Sequence, residues 1–220
     1  MNSIVRLIRV PALITLGVTL LRLIGELQNW SPRLFNREAG GGGALVGIAW
    51  LVPIFGIYFA LKLSQLGAAR LRAGKMVLYA LAGLVTFFVI GFGGMRLLGL
   101  DPNTPSLTAL VLFIVASGVS ALIAYVGSPA LGKVLFAYGL GARVPVALLM
   151  LVAMLGNWGT HYDVVPPNFP EMSVVAKWLI IGLVPQLTLW ISYTLVVGCL
   201  FAGIALALFR RKTALQPVDV

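Results

Sequence analysis

The stretch Trp178–Phe209, WLIIGLVPQLTLWISYTLVVGCLFAGIALALF, runs 32 residues without a charged side chain and ends against Arg210-Arg211-Lys212. A bilayer core is about 30 Å thick and is crossed by about 20 mostly apolar residues in a helix. The run therefore decides the class: an all-α integral membrane protein. At 1.5 Å per residue the stretch would measure about 48 Å, more than tilt alone absorbs, and Pro185 offers a kink. The reading is that Ser173–Val184 lies on, or projects from, the outer surface, and that the span proper is Gln186–Phe209, with Trp190 near its outer interface.

The whole chain has the same character. Of its 220 residues 60% are hydrophobic and only 10% are charged, with mean hydropathy +1.02. Soluble domains are about 45–50% apolar and about 25% charged. A soluble domain, a disordered chain and a disulfide scaffold are all excluded. Five more candidate spans lie upstream: Pro11–Leu27, Ala44–Lys62, Met76–Gly94, Leu107–Gly127 and a fifth that ends near Gly156. Pro11 suits a first helical turn, where its missing N–H costs nothing. The basic, apolar N-terminus has no small-residue cleavage site before Glu26, so it reads as a retained span rather than a signal peptide. Thr213–Val220 reads as a short disordered tail beyond a single membrane domain.

The fifth span turns on Arg143 and Pro145. One helix over 134–156 would put Arg143 near mid-membrane, where a charge is costly. The preferred reading is a break: a short interfacial helix at Lys133–Leu140, a joint at Gly139, Gly141 and Pro145, and a span from Pro145 to Tyr162, with Arg143 at the headgroups. Gly127–Leu149, GSPALGKVLFAYGLGARVPVALL, resembles the interfacial helix, joint and Pro-started span of YIP-type multispan membrane proteins. The resemblance covers about a tenth of the chain, and the first half does not follow that family.

With six spans both termini share a side with Arg6, Arg9, Lys62, Arg70, Arg72, Lys75, Lys133, Arg143 and the basic triplet. Eleven of the 16 basic residues fall there and five on the other side. The positive-inside rule makes that side cytoplasmic, and the net charge of +10 is then a topology signal rather than a nucleic-acid signature. The expected location is the inner membrane of a cell, with the bilayer and other membrane chains, or further copies of itself, as partners and no nucleic acid.

The outer ends of spans one and five hold most of the polar chemistry: Arg22, Glu26, Asn29, Trp30 and Arg33 from the first, and Asn157, Trp158, His161, Tyr162 and Asp163 from the fifth. Arg22 and Glu26 are four apart and share a helix face. Together these residues would make a pocket for an anion or a lipid headgroup, or a proton relay. The bland alternative is a structural ion pair with interfacial tryptophans and solvated loop residues. One histidine and one cysteine leave no multi-histidine metal or haem set and no intrachain disulfide; Cys199 reads as a packing residue, and no cofactor is expected. No HExxH, GxSxG, phosphate-loop or dinucleotide motif occurs. The run Gly40–Gly43 lacks the Lys-Ser/Thr of a phosphate loop.

Small residues recur at helix-packing spacing: Ser120 and Ala124; Gly198 and Ala202; Gly203 and Ala207. They let helices approach closely, within the chain or with a partner. Three functions follow. The first is a non-enzymatic structural or accessory subunit of a larger membrane complex. The second is a small transporter or channel with an access site around Arg22, Glu26, His161 and Asp163. The third is an enzyme acting on a lipid headgroup. Transport would need a polar cavity lined by the few polar side chains in the spans: Thr86, Ser117, Ser120, Gln186, Thr188 and Ser192.

Overall fold

A computed structural model describes residues 2–42, 45–67, 71–101, 104–167 and 169–214. The chain is 78% helical, with no strand among the described residues. Six helices are long and apolar enough to cross a membrane. We label them α1 (Asn2–Leu27), α2 (Leu51–Gln65, after a 3-10 turn at Ile48–Trp50), α3 (Ala73–Phe88, carried on through a π turn at Val89–Gly93 to Leu97), α4 (Leu107–Gly127), α5 (Pro129–Gly156) and α6 (Leu189–Ala214). A bent helical lead-in at 174–187 precedes α6.

Three boundaries differ from the sequence expectation. Pro11 lies inside α1, nine residues past its start. Ile4, Leu7 and Ile8 pack against the main core cluster, and that contact extends the helix back past the proline. In the second, α5 has no joint: Pro129–Gly156 is one helix of 28 residues, about 42 Å long. Arg143 sits at its middle, 3% exposed, and not at the start of a span as a joint would place it. The cost that argued for a break is offset in part by a neighbour invisible to the local sequence: the Arg143 guanidinium lies 4.4 Å from the centre of the Trp190 ring on α6, a cation–π contact that strengthens when desolvated. The third is in the tail, where Thr213 and Ala214 continue α6; 215–220, like Gly43 and Arg70, lie outside the described residues.

The lead-in runs on into α6 through a distorted Thr188, φ −109° and ψ −74°, whose N–H still donates to the Val184 carbonyl at 3.0 Å and whose carbonyl still accepts from Ser192. Pro185 cannot donate a backbone hydrogen bond, and Trp178–Leu183 adopts a π turn just upstream. The segment packs on α5: Trp178 Nε1 donates to the Ala147 carbonyl at 2.7 Å.

α6 is the central element, touching α2, α3, α4 and α5, while α1 rests mainly on α5. Close approach is bought by small residues. A Cβ on Gly56 of α2 would stand 2.5 Å from the Gly198 carbonyl of α6. Ser120 Oγ of α4 donates to the Gly83 carbonyl of α3 at 2.8 Å. Phe55, Phe59, Leu131, Leu135, Tyr138 and Cys199 fill the main core. A second cluster, Leu23, Val146, Met150, Ala153, Met154 and Tyr162, lies between α1 and α5 beneath the loops that follow them.

Candidate functional site

The first site element is a buried carboxylate. Glu26, fully buried in the last turn of α1, receives three donors: Arg22 Nε at 2.8 Å, His161 Nδ1 at 2.5 Å and the His161 backbone N–H at 2.9 Å. Arg22 reaches Glu26 because the two stand one turn apart, and its Nη2 also donates to the Asn36 carbonyl at 3.2 Å. Arg37 donates to the Glu26 backbone carbonyl. The carboxylate thus ties the end of α1 to the loop after α5, while Arg22 and the Glu26 backbone carbonyl tie it to the loop after α1.

Chemistry fixes the histidine tautomer. A carboxylate oxygen only accepts, so Nδ1 carries the proton. Burial, the largest influence, pushes the His161 imidazole below its usual pKa; the Glu26 hydrogen bond opposes this and the Arg22 charge reinforces it. We therefore assign a neutral imidazole beside an Arg22–Glu26 ion pair. Tyr162 is buried next to it, its hydroxyl donating to the Thr19 carbonyl at 3.2 Å, and burial raises its pKa.

Of the ten polar residues expected at this end, Arg22, Glu26, His161 and Tyr162 meet. The others do not join them. Asn157 caps α5 in the left-handed conformation, φ 48°, and Asn29 holds a similar turn after α1. Asp163 folds back on its own loop, accepting from the Gly159 and Thr160 N–H groups at 2.8 Å each. Trp30 packs edge-on against Phe35, Trp158 packs on the second core cluster, and Arg33 is exposed. Of the small residues, Ser120, Ala124, Gly198, Ala202 and Gly203 are buried inside the chain, whereas Ala207 is exposed.

Beside this network opens a cavity of about 540 Å³, within the range of small-molecule sites. Arg22, His161 and Tyr162 line its upper part; Val18, Val146, Met150 and Ile181 form apolar walls; Arg143, Gln186, Trp190 and Tyr193 line it deeper. Among the six polar side chains that transport would require, only Gln186 lines this cavity. Arg143 and Gln186 are the functional candidates that sequence reasoning missed. A joint at Gly139, Gly141 and Pro145 would put Arg143 at the headgroups, and the local sequence gives no sign of the Trp190 that covers it. Gln186 was marked only as one polar group among several, and its proline neighbour was the sole local signal. Among the described residues no three His, Cys, Asp or Glu side chains cluster as a metal set.

Fold and site together define a multi-pass α-helical membrane protein with a small-molecule-sized cavity beside a buried ionic network at one end of the bundle. No protein-family model, curated protein or solved structure matches the chain.

Proposed function

We propose that this is a non-enzymatic membrane protein whose functional element is the cavity between α1, α5 and the start of α6, and that it binds a small amphipathic molecule there. The observation that carries this reading is the composition of the cavity wall: aliphatic and aromatic side chains joined by two arginines, one histidine, one threonine and one glutamine. Few convergent polar groups on an apolar wall are the pattern of ligand sites. The role of accessory subunit has less support, because the small residues that suggested partner chains are, apart from Ala207, spent on contacts within this chain. A continuous conducting path is not part of the proposal, since Ser120 is committed to Gly83 and Thr188 to Val184.

With the basic side facing the cytoplasm, the cavity opens toward the outer face of a cell membrane. Moving Arg143 to mid-helix leaves ten basic residues on the inner side against five outside, so the orientation argument stands.

The test is to purify the protein in a mild detergent, extract it with organic solvent and identify retained molecules by mass spectrometry. Val18 and Ile181 line the cavity without being fully buried. Val18→Trp and Ile181→Trp should fill the cavity and remove whatever the wild type enriches. Equal retention by wild type and both variants would sink the proposal.

A further inference from the structure

The deep end of the cavity carries a feature that the network at its mouth does not explain. Arg143 is 97% shielded from solvent, near the middle of a 28-residue helix and about 20 Å from its Gly156 end. It forms no ion pair with any carboxylate among the described residues. Its guanidinium lies over the Trp190 ring face. Its Nε has no hydrogen-bond partner. Gln186 lines the same cavity, four residues before Trp190, and is also buried. Its Nε2 has only the weak acceptor Met150 Sδ, at 3.7 Å, and its Oε1 has no partner.

Two buried side chains that line one cavity thus each carry an unsatisfied polar atom, one a donor and the other an acceptor. Buried polar groups are almost always paired, and a charge at membrane depth marks a ligand or ion site by default. An Arg side chain offers donors only and a free amide oxygen accepts only. A single ligand group that meets both would bring an anionic oxygen for Arg143 and a donor hydrogen for Gln186. An ionised carboxylate or a phosphodiester oxygen supplies the first and not the second; a phosphate monoester in its singly ionised form, populated below its second pKa near 6, supplies both from one group. The rest of the wall, Val18, Val146, Met150 and Ile181, requires the remainder of the ligand to be apolar.

We infer that Arg143 and Gln186 hold the head of an amphipathic phosphate monoester, its apolar part lying along α1 and the lead-in to α6. This rests on the reading of the cavity as a ligand site and adds the class of ligand. The source is either a membrane lipid or a soluble organic phosphate, and chain length separates the two.

The experiment titrates the full-length protein in dodecyl maltoside with dodecyl phosphate, butyl phosphate, dodecylphosphocholine and inorganic phosphate, read by native mass spectrometry and tryptophan fluorescence. Dodecyl phosphate should bind at one per chain, about tenfold or more tighter than dodecylphosphocholine, a factor typical of one charge-assisted contact. Inorganic phosphate should bind far more weakly. Butyl phosphate matching dodecyl phosphate would support a soluble organic ligand; clear preference for the longer chain would support a lipid. Gln186→Leu should abolish the preference for phosphate over phosphocholine, whereas Arg143→Gln should weaken both dodecyl probes about tenfold and Arg143→Lys should keep part of that binding. Should the variants fail to fold, the wild-type ranking alone decides. Equal binding of dodecyl phosphate and dodecylphosphocholine, unaffected by Arg143→Gln yet lost in Val18→Trp, would overturn the phosphate assignment and leave the cavity reading standing. No binding of any dodecyl probe would overturn both. Inorganic phosphate binding as tightly as dodecyl phosphate would also overturn it.

Discussion

Glu26 shows how much one buried side chain can organise. Its carboxylate holds Arg22 and both donors of His161, so truncation leaves a buried cation without its partner, at a cost of about 3–5 kcal/mol. Glu26→Ala should therefore lower the melting temperature in detergent by on the order of 10 °C, whereas the isosteric Glu26→Gln, which keeps one acceptor oxygen, should lose less. Differential scanning fluorimetry of the two variants checks this; equal, small losses would mean the network contributes little. His161 adds a pH dependence with a definite sign. Its folded pKa is lowered from the ordinary value of 6.5, so between those two values the unfolded chain binds the proton and the folded chain does not. Stability is then complete above about pH 6.5 and declines as the pH falls toward the lowered value. His161→Gln, which can still donate to Glu26, should flatten the melting-temperature profile between pH 8 and pH 5; a profile unchanged by it would refute the assignment. The sequence could bring Arg22 and Glu26 together, because four-residue spacing is local geometry. It could gather His161 only into a list of ten, since 135 residues separate it from Glu26 and a loop's fold decides which members of such a list touch.

At the scale of elements, the same contrast governs the helices. Apolar length and small-residue spacing are local properties, and all six spans were legible from them. The partner of each small stripe is not local. Gly198 could have faced another chain, and in the fold it faces Gly56 and Leu135. The unbroken α5 went unread for a related reason: the price of a mid-membrane arginine depends on what covers it, and Trp190 arrives from α6. The glycine contacts give a paired prediction. Gly56→Ala would force its Cβ to within 2.5 Å of a backbone carbonyl, and overpacking of this kind costs about 1–3 kcal/mol. Gly118 lies mid-α4 with nothing within 4 Å of a built Cβ, so Gly118→Ala should be neutral or stabilising by up to about 1 kcal/mol, the helix-propensity difference. Thermal melts of both variants in the same detergent test the pair. Equal effects would mean that the α2–α6 approach is looser than the glycine contacts require.

At the scale of the whole molecule, the open question is which way the bundle sits. The cavity and the Glu26 network lie at one end, and the end of α2 and start of α3, with Lys62, Arg72 and Lys75, lie at the other. Because basic residues near span ends are retained in the cytoplasm, the cavity end is expected to be outside. The chain is well suited to a direct check. Its sole cysteine, Cys199, is fully buried in the core against Ala124, so a membrane-impermeant thiol reagent should leave the natural protein unlabelled in intact cells. Ser31 and Ser64 are exposed at opposite ends of the bundle, and a cysteine at either should cost little stability, as surface substitutions usually do. Ser31→Cys should label in intact cells, and Ser64→Cys only after the membrane is opened. The reverse pattern would invert the orientation. It would then place the Arg143 cavity within reach of cytoplasmic ligands, and the search for its phosphate would move from the outer leaflet to the metabolite pool.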